Sequence, residues 1–144
     1  MRLKRVKLNP VVTAGVYSAN DVVGATLNFG NVDGMLRAVT IVDQAKQAGA
    51  YQLVLFRDLP TDIADNGTFD IADADLPNII GAIHITDTAG ADKFDFTDNK
   101  IYCRQGLALP ITDISNLYGF LIALATPTYA AVTDVHIQLL LEEG

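Results

Sequence analysis

The chain has 144 residues, of which half are hydrophobic, and seventeen Asp and Glu against ten Lys and Arg leave a net charge of −7. That length accommodates one domain, which on folding buries roughly 68–70% of its unfolded surface. A chain so apolar is not a disordered segment, and a nucleic-acid binder would carry a basic excess instead.

The acids are unevenly chosen: fifteen are Asp, and the only Glu residues are Glu142 and Glu143. Asp favours turns and caps, whereas Glu favours helix interiors, so surface helix is expected to be scarce. Cys103 is the only cysteine, which excludes an intrachain disulfide and a Cys-based metal site and suits a small packed hydrophobe in a reducing compartment. The longest uninterrupted hydrophobic run, Phe120 to Ala125, falls far short of the ~20 residues of a membrane helix, so no membrane partner is expected.

Taken in chain order, MRLKRVKLNP comes first. Arg2, Lys4, Arg5 and Lys7 hold four of the ten cations and alternate with Leu3, Val6 and Leu8. Pro10 and Thr13 interrupt the apolar stretch behind them, so no signal peptide is expected. We read residues 1–10 as a basic N-terminal arm and 11–144 as a single domain. The arm either orders against an acidic surface or is an ordinary solvated terminus.

The first strand expected within the domain is VVGATLNF (22–29), with Val23, Ala25, Leu27 and Phe29 on one face. NVDG makes a turn, and LRAVTIVDQA (36–45) follows with both faces fairly apolar. YQLVLF (51–56) is short, β-branched and aromatic. After an acid-rich stretch, DLPN predicts one helical turn with Asp75 as its cap. IIGAIHI, KFDF, NKIYC, GLALPI, LYGFLIALA and VHIQLLLE complete the series. Short strands at roughly 8–12-residue spacing predict an all-β, jelly-roll-like antiparallel β-sandwich of about eight strands, with at most one or two helical turns.

The chain contains no glycine-rich phosphate loop, no HExxH and no CxxC. Its two serines, Ser18 and Ser115, have no GxSxG context, so His84 and His136 read as strand residues or subunit contacts rather than catalytic bases. The stretch LPTDIADNGTFDIADADLP (59–77) carries Asp62, Asp65, Asp70, Asp73 and Asp75. A calcium loop of EF-hand type needs Gly at its sixth position and Glu at its twelfth, and neither is present. A glycosidase pair would ordinarily sit among aromatic platforms, and the chain has no Trp. Asn66-Gly67 is a turn, and Asp62, Asp70 and Asp73 suit loop positions that satisfy nearby amides. No catalytic, cofactor-binding or metal-ligating residue is assigned.

Four segments resemble a family of small tailed-bacteriophage virion proteins of the capsid cement or decoration type. They are GVYSANDVVGATLNF (15–29), AVTIVDQAKQAGAYQLVLFRDLPT (38–61), DIADADLPNIIGAIHI (70–85) and LYGFLIALATPTYAAVTDVHIQLLLEE (117–143). The resemblance covers well over half of the chain and is weaker across 86–116. It implies a non-enzymatic structural protein, made in the host cytoplasm and carried on the phage head as a homotrimer that binds the major capsid protein lattice. It implies no cofactor and no direct contact with nucleic acid. Under this reading Arg2, Lys4, Arg5 and Lys7 are candidates for capsid binding. Leu36, Ala38, Thr40, Val42, Tyr118, Phe120 and Ile122, from strands with two apolar faces, are candidates for the trimer interface. The competing expectation is a tail- or fibre-associated or carbohydrate-binding β-sandwich module, which would cluster exposed aromatics at loop tips.

Overall fold

A computed structural model describes residues 2–47, 50–85 and 92–143. Parts of the link between LRAVTIVDQA and YQLVLF, and of the segment 86–116, therefore fall outside the described residues. Among the described residues ten strands form: β1 Arg2–Leu8, β2 Val22–Gly30, β3 Gly34–Asp43, β4 Tyr51–Phe56, β5 Ile79–Ile85, β6 Asp92–Asp95, β7 Lys100–Arg104, β8 Leu109–Ile111, β9 Leu117–Ala123 and β10 Val135–Glu143. One short 3-10 helix, Asp73–Asn78, precedes β5.

All pairings are antiparallel. One sheet runs β1-β10-β3-β7-β6, with β8 also pairing with β3, and the other runs β2-β9-β4-β5. Without β6 and β8, the remaining eight strands follow the double Greek-key order of a jelly roll. The alternation within each strand decides which side chains enter the space between the sheets. From the six-stranded sheet come Leu36, Val39, Ile41, Tyr102, Val135, Ile137, Leu139 and Leu141; from the four-stranded sheet come Val23, Leu27, Phe29, Leu53, Leu55, Ile83, Ile85 and Leu121. These side chains form one continuous core.

The expected arm is a strand. Residues 2–8 pair along their whole length with β10, from Arg2 opposite Glu143 to Leu8 opposite Ile137. Val6 and Leu8 pack against the core, and their burial is the reason the segment joins the sheet. Residues 2–8 are therefore part of the sandwich.

The acid-rich stretch also has a specific structural role. Val22, Val54, Phe56, Phe120 and Ile122 point out of the four-stranded sheet, yet all five are buried. Residues 57–72 fold over them as a strap, with Ile63, Phe69 and Ile71 packed against that apolar surface. Phe69 meets Phe120 edge-on, with centroids 5.7 Å apart.

Carboxylates hold the strap in place. Asp65 Oδ1 accepts from the Tyr17 hydroxyl at 2.6 Å and the Gly24 amide at 2.7 Å, and Oδ2 accepts from the Thr13 hydroxyl at 2.6 Å. Asp62 accepts from the Thr26 hydroxyl. Asp75 lies within the 3-10 helix and accepts the Thr61 amide at 2.9 Å, whereas the helix begins after Ala72 without a side-chain cap. The expectation of Asp75 as a cap is therefore corrected: it fastens the strap, at Thr61, to the helix that follows it.

Candidate interaction face

Because the strap covers one outer face of the sandwich, the two faces differ in chemistry. The outer face of the six-stranded sheet has no such cover among the described residues. Strand register assembles its rows. Arg5 lies opposite Leu140, which lies opposite Ala38. The next row is Lys7, Gln138, Thr40 and Cys103. His136, Val42 and Ile101 form a third. All but Arg5 and Lys7 are half-buried, so the face combines small or apolar side chains with amides and a basic margin.

Charge is segregated between the two faces. Arg5, Lys7 and Arg37 stand on the bare face, where Glu142 Oε2 accepts from Arg37 Nε at 2.8 Å. The opposite side carries Asp58, Asp62, Asp70 and Asp73, all exposed along the strap and the helix that follows, together with Arg57. In a chain of net charge −7, the described residues on this side thus carry more cations than carboxylates. Such a surface attracts an acidic partner and orients it as it approaches.

Only part of each expected residue group meets here. Arg5 and Lys7 lie on the bare face. Lys4 alternates away from it and donates to the Asn31 carbonyl at 2.9 Å, while Arg2 sits at the strand end, 3.1 Å from Glu143. That exposed pair holds the Glu143 carboxyl below its ordinary range, chiefly through the hydrogen bond from Arg2. Ala38, Thr40 and Val42 join Arg5 and Lys7 on the bare face. Leu36 is buried in the core, and Phe120 and Ile122 are buried beneath the strap, so these three side chains have no surface to give a neighbouring subunit. Tyr118 is half-buried against the same strapped cluster. The correction follows from strand parity for Leu36 and from the strap for the others.

Sequence reasoning did not assign Arg37, Gln138, Leu140 or Cys103 to a site. The alternation of β10 places Gln138 and Leu140 on its outer side, but a single strand does not say which cations stand opposite. Cys103 is half-buried, and its sulfur accepts from the Thr40 hydroxyl at 3.4 Å. Of the two histidines, His136 stands on the bare face, while His84 lies on the other sheet with its Nε2 3.2 Å from the Gln52 amide nitrogen.

The polar groups between the sheets are engaged with one another. The hydroxyls of Tyr51 and Tyr129 are 2.6 Å apart, and Tyr102 donates to the Gln47 carbonyl at 3.0 Å. Asp43 accepts the amides of Ala45 and Gln47, both at 2.9 Å, and its burial still raises its pKa above the usual carboxylate range. Burial likewise raises the phenols of Tyr17, Tyr51 and Tyr129. These contacts close one end of the sandwich and tie its loops together.

The chain matches no protein-family model and no curated protein sequence.

Proposed function

We propose that this chain is a non-enzymatic structural protein of a bacteriophage particle, of the capsid cement type, and that it binds the major capsid protein lattice as a homotrimer. The sequence resemblance supplies the virion role. The observation that carries the docking role is the bare, basic-margined face on which Arg5 and Lys7 meet Ala38, Thr40 and Val42. A surface with small and apolar side chains at its centre and charge at its margin has the anatomy of a protein contact. One standard contact buries ~800 Å² per partner, and area alone does not guarantee tight binding. Three linked copies gain avidity because the second and third contacts form within one complex.

The test is direct. Purified protein is mixed with heads assembled without it, and bound copies are counted after sedimentation. Light scattering gives the mass of the free protein in multiples of the 15.5 kDa chain. The expected result is saturable binding by a trimer. Absence of the chain from purified virions by mass spectrometry would refute the virion role, and a strictly monomeric protein would refute the trimer.

A further inference from the structure

Along the strand direction the bare face is a trough. Two hollows of about 390 and 420 Å³ adjoin there, and Thr40 and Gln138 line both. One hollow extends past Val42 to Gln44, the other past Ala38 to Arg37. From Arg37 to Gln44 the chain advances seven residues, roughly 23 Å at a rise of ~3.3 Å each. This is the length of an extended peptide of about seven residues.

The chemistry of the trough selects among extended chains. Its floor, at Ala38, Thr40, Val42 and Leu140, offers methyl groups and one hydroxyl. Arg5 and Lys7 form one bank, two residues apart on β1 and therefore roughly 6.5–7 Å apart. Arg37 is already engaged by Glu142, whereas Arg5 and Lys7 have no carboxylate partner among the described residues. In an extended peptide, carboxylates at alternate positions repeat at that same spacing, with the intervening residues turned to the opposite side. A polyphosphate is a poorer fit, because two cations neutralise few phosphates and, His136 apart, no ring that a base could stack on lines either hollow among the described residues.

We infer that the trough binds an extended acidic polypeptide segment of about seven residues, supplied by the partner protein, whose alternate carboxylates meet Arg5 and Lys7 above a floor of Ala38, Thr40 and Val42. The inference rests on the reading of this face as a docking surface and specifies its occupant.

The probe is a fluorescein-labelled heptapeptide alternating Asp with Val and Ala, titrated with the full-length chain and followed by fluorescence anisotropy. A heparin dodecasaccharide and a single-stranded DNA 12-mer serve as comparison probes. Saturable peptide binding is expected, weakened at least tenfold by the paired substitutions Arg5→Glu and Lys7→Glu and by Thr40→Trp, which fills the junction of the hollows. Arg57→Glu, a charge reversal on the opposite face, should change binding less than twofold. Circular dichroism confirms that each variant is folded. No peptide binding at 1 mM, equal loss in Arg57→Glu and Lys7→Glu, or tighter binding of heparin or DNA than of peptide would each overturn the inference. Head binding separates this inference from the proposed function. If the doubly reversed variant still decorates heads fully, the trough is not the docking site and the virion role stands. If the chain takes the peptide but no heads, the virion role fails and the trough stands.

Discussion

Substitution Asp65→Ala tests whether the strap is held chiefly by one carboxylate. Asp65 takes three donors, and the Tyr17 hydroxyl among them also accepts the Thr13 amide at 2.7 Å. The Thr13 hydroxyl is exposed and will find water when the carboxylate is removed. The Tyr17 hydroxyl and Gly24 amide are partly buried, and a hydrogen bond to a charged group contributes about 1.5–3 kcal/mol. Discounting the exposed donor, the loss should be roughly 3–4 kcal/mol, a large share of the ~5–15 kcal/mol that holds a domain folded. At ~2–4 °C per kcal/mol for a chain near this size, the melting temperature should fall by roughly 10 °C. Urea unfolding gives the free energy, and hydrogen exchange locates the change. The Phe69 amide, which donates to the Asn20 carbonyl, and the Val22 amide, which donates to the Gly67 carbonyl, should exchange faster than the core. Asp65→Asn keeps one oxygen in place and should lose about half as much. If Asp65→Ala stays within ~0.5 kcal/mol of the parent, as a neutral surface change would, the latch is refuted.

Three further outcomes follow from the packing. Gly24 has φ +88°, and a Cβ there would lie 2.3 Å from the Cβ of Pro10, so Gly24→Ala should cost about 3 kcal/mol in urea unfolding. Tyr51→Phe leaves the Tyr129 hydroxyl buried without its 2.6 Å partner and should cost about 1–2 kcal/mol; Tyr51→Phe with Tyr129→Phe should cost less than the two single changes added together. Burial raises the phenols of Tyr17, Tyr51 and Tyr129, so their contribution to stability is intact below the ~10 of a free phenol and declines as pH climbs beyond it. Guanidinium midpoints should therefore fall above pH 10, with tyrosinate absorbance at 295 nm from these three rising in step with unfolding rather than before it.

The strands from β2 onward were largely legible because period-2 alternation is a local property of the chain. Val135, Ile137, Leu139 and Leu141 in β10 are apolar at every second position, and all four are buried between the sheets. The scarcity of internal Glu and the abundance of Asp likewise belonged to composition and anticipated a fold with little helix. Residues 2–8 read as a basic arm, either ordered against an acidic surface or solvated, because only the pairing with β10 gives Val6 and Leu8 a core to join.

What a residue contributes on the outside of a sheet depended on other segments. Phe120 and Thr40 both lie on outer faces, and nothing near either one in sequence distinguishes their fates. Phe120 is buried because a strap about fifty residues away lies over it, whereas Thr40 borders a trough because no described segment crosses it. Sequence by itself determined which positions alternate and how acidic the chain is. Tertiary structure decided which faces remain open and which charges share them, because cross-strand register and strap placement join residues that are distant along the chain.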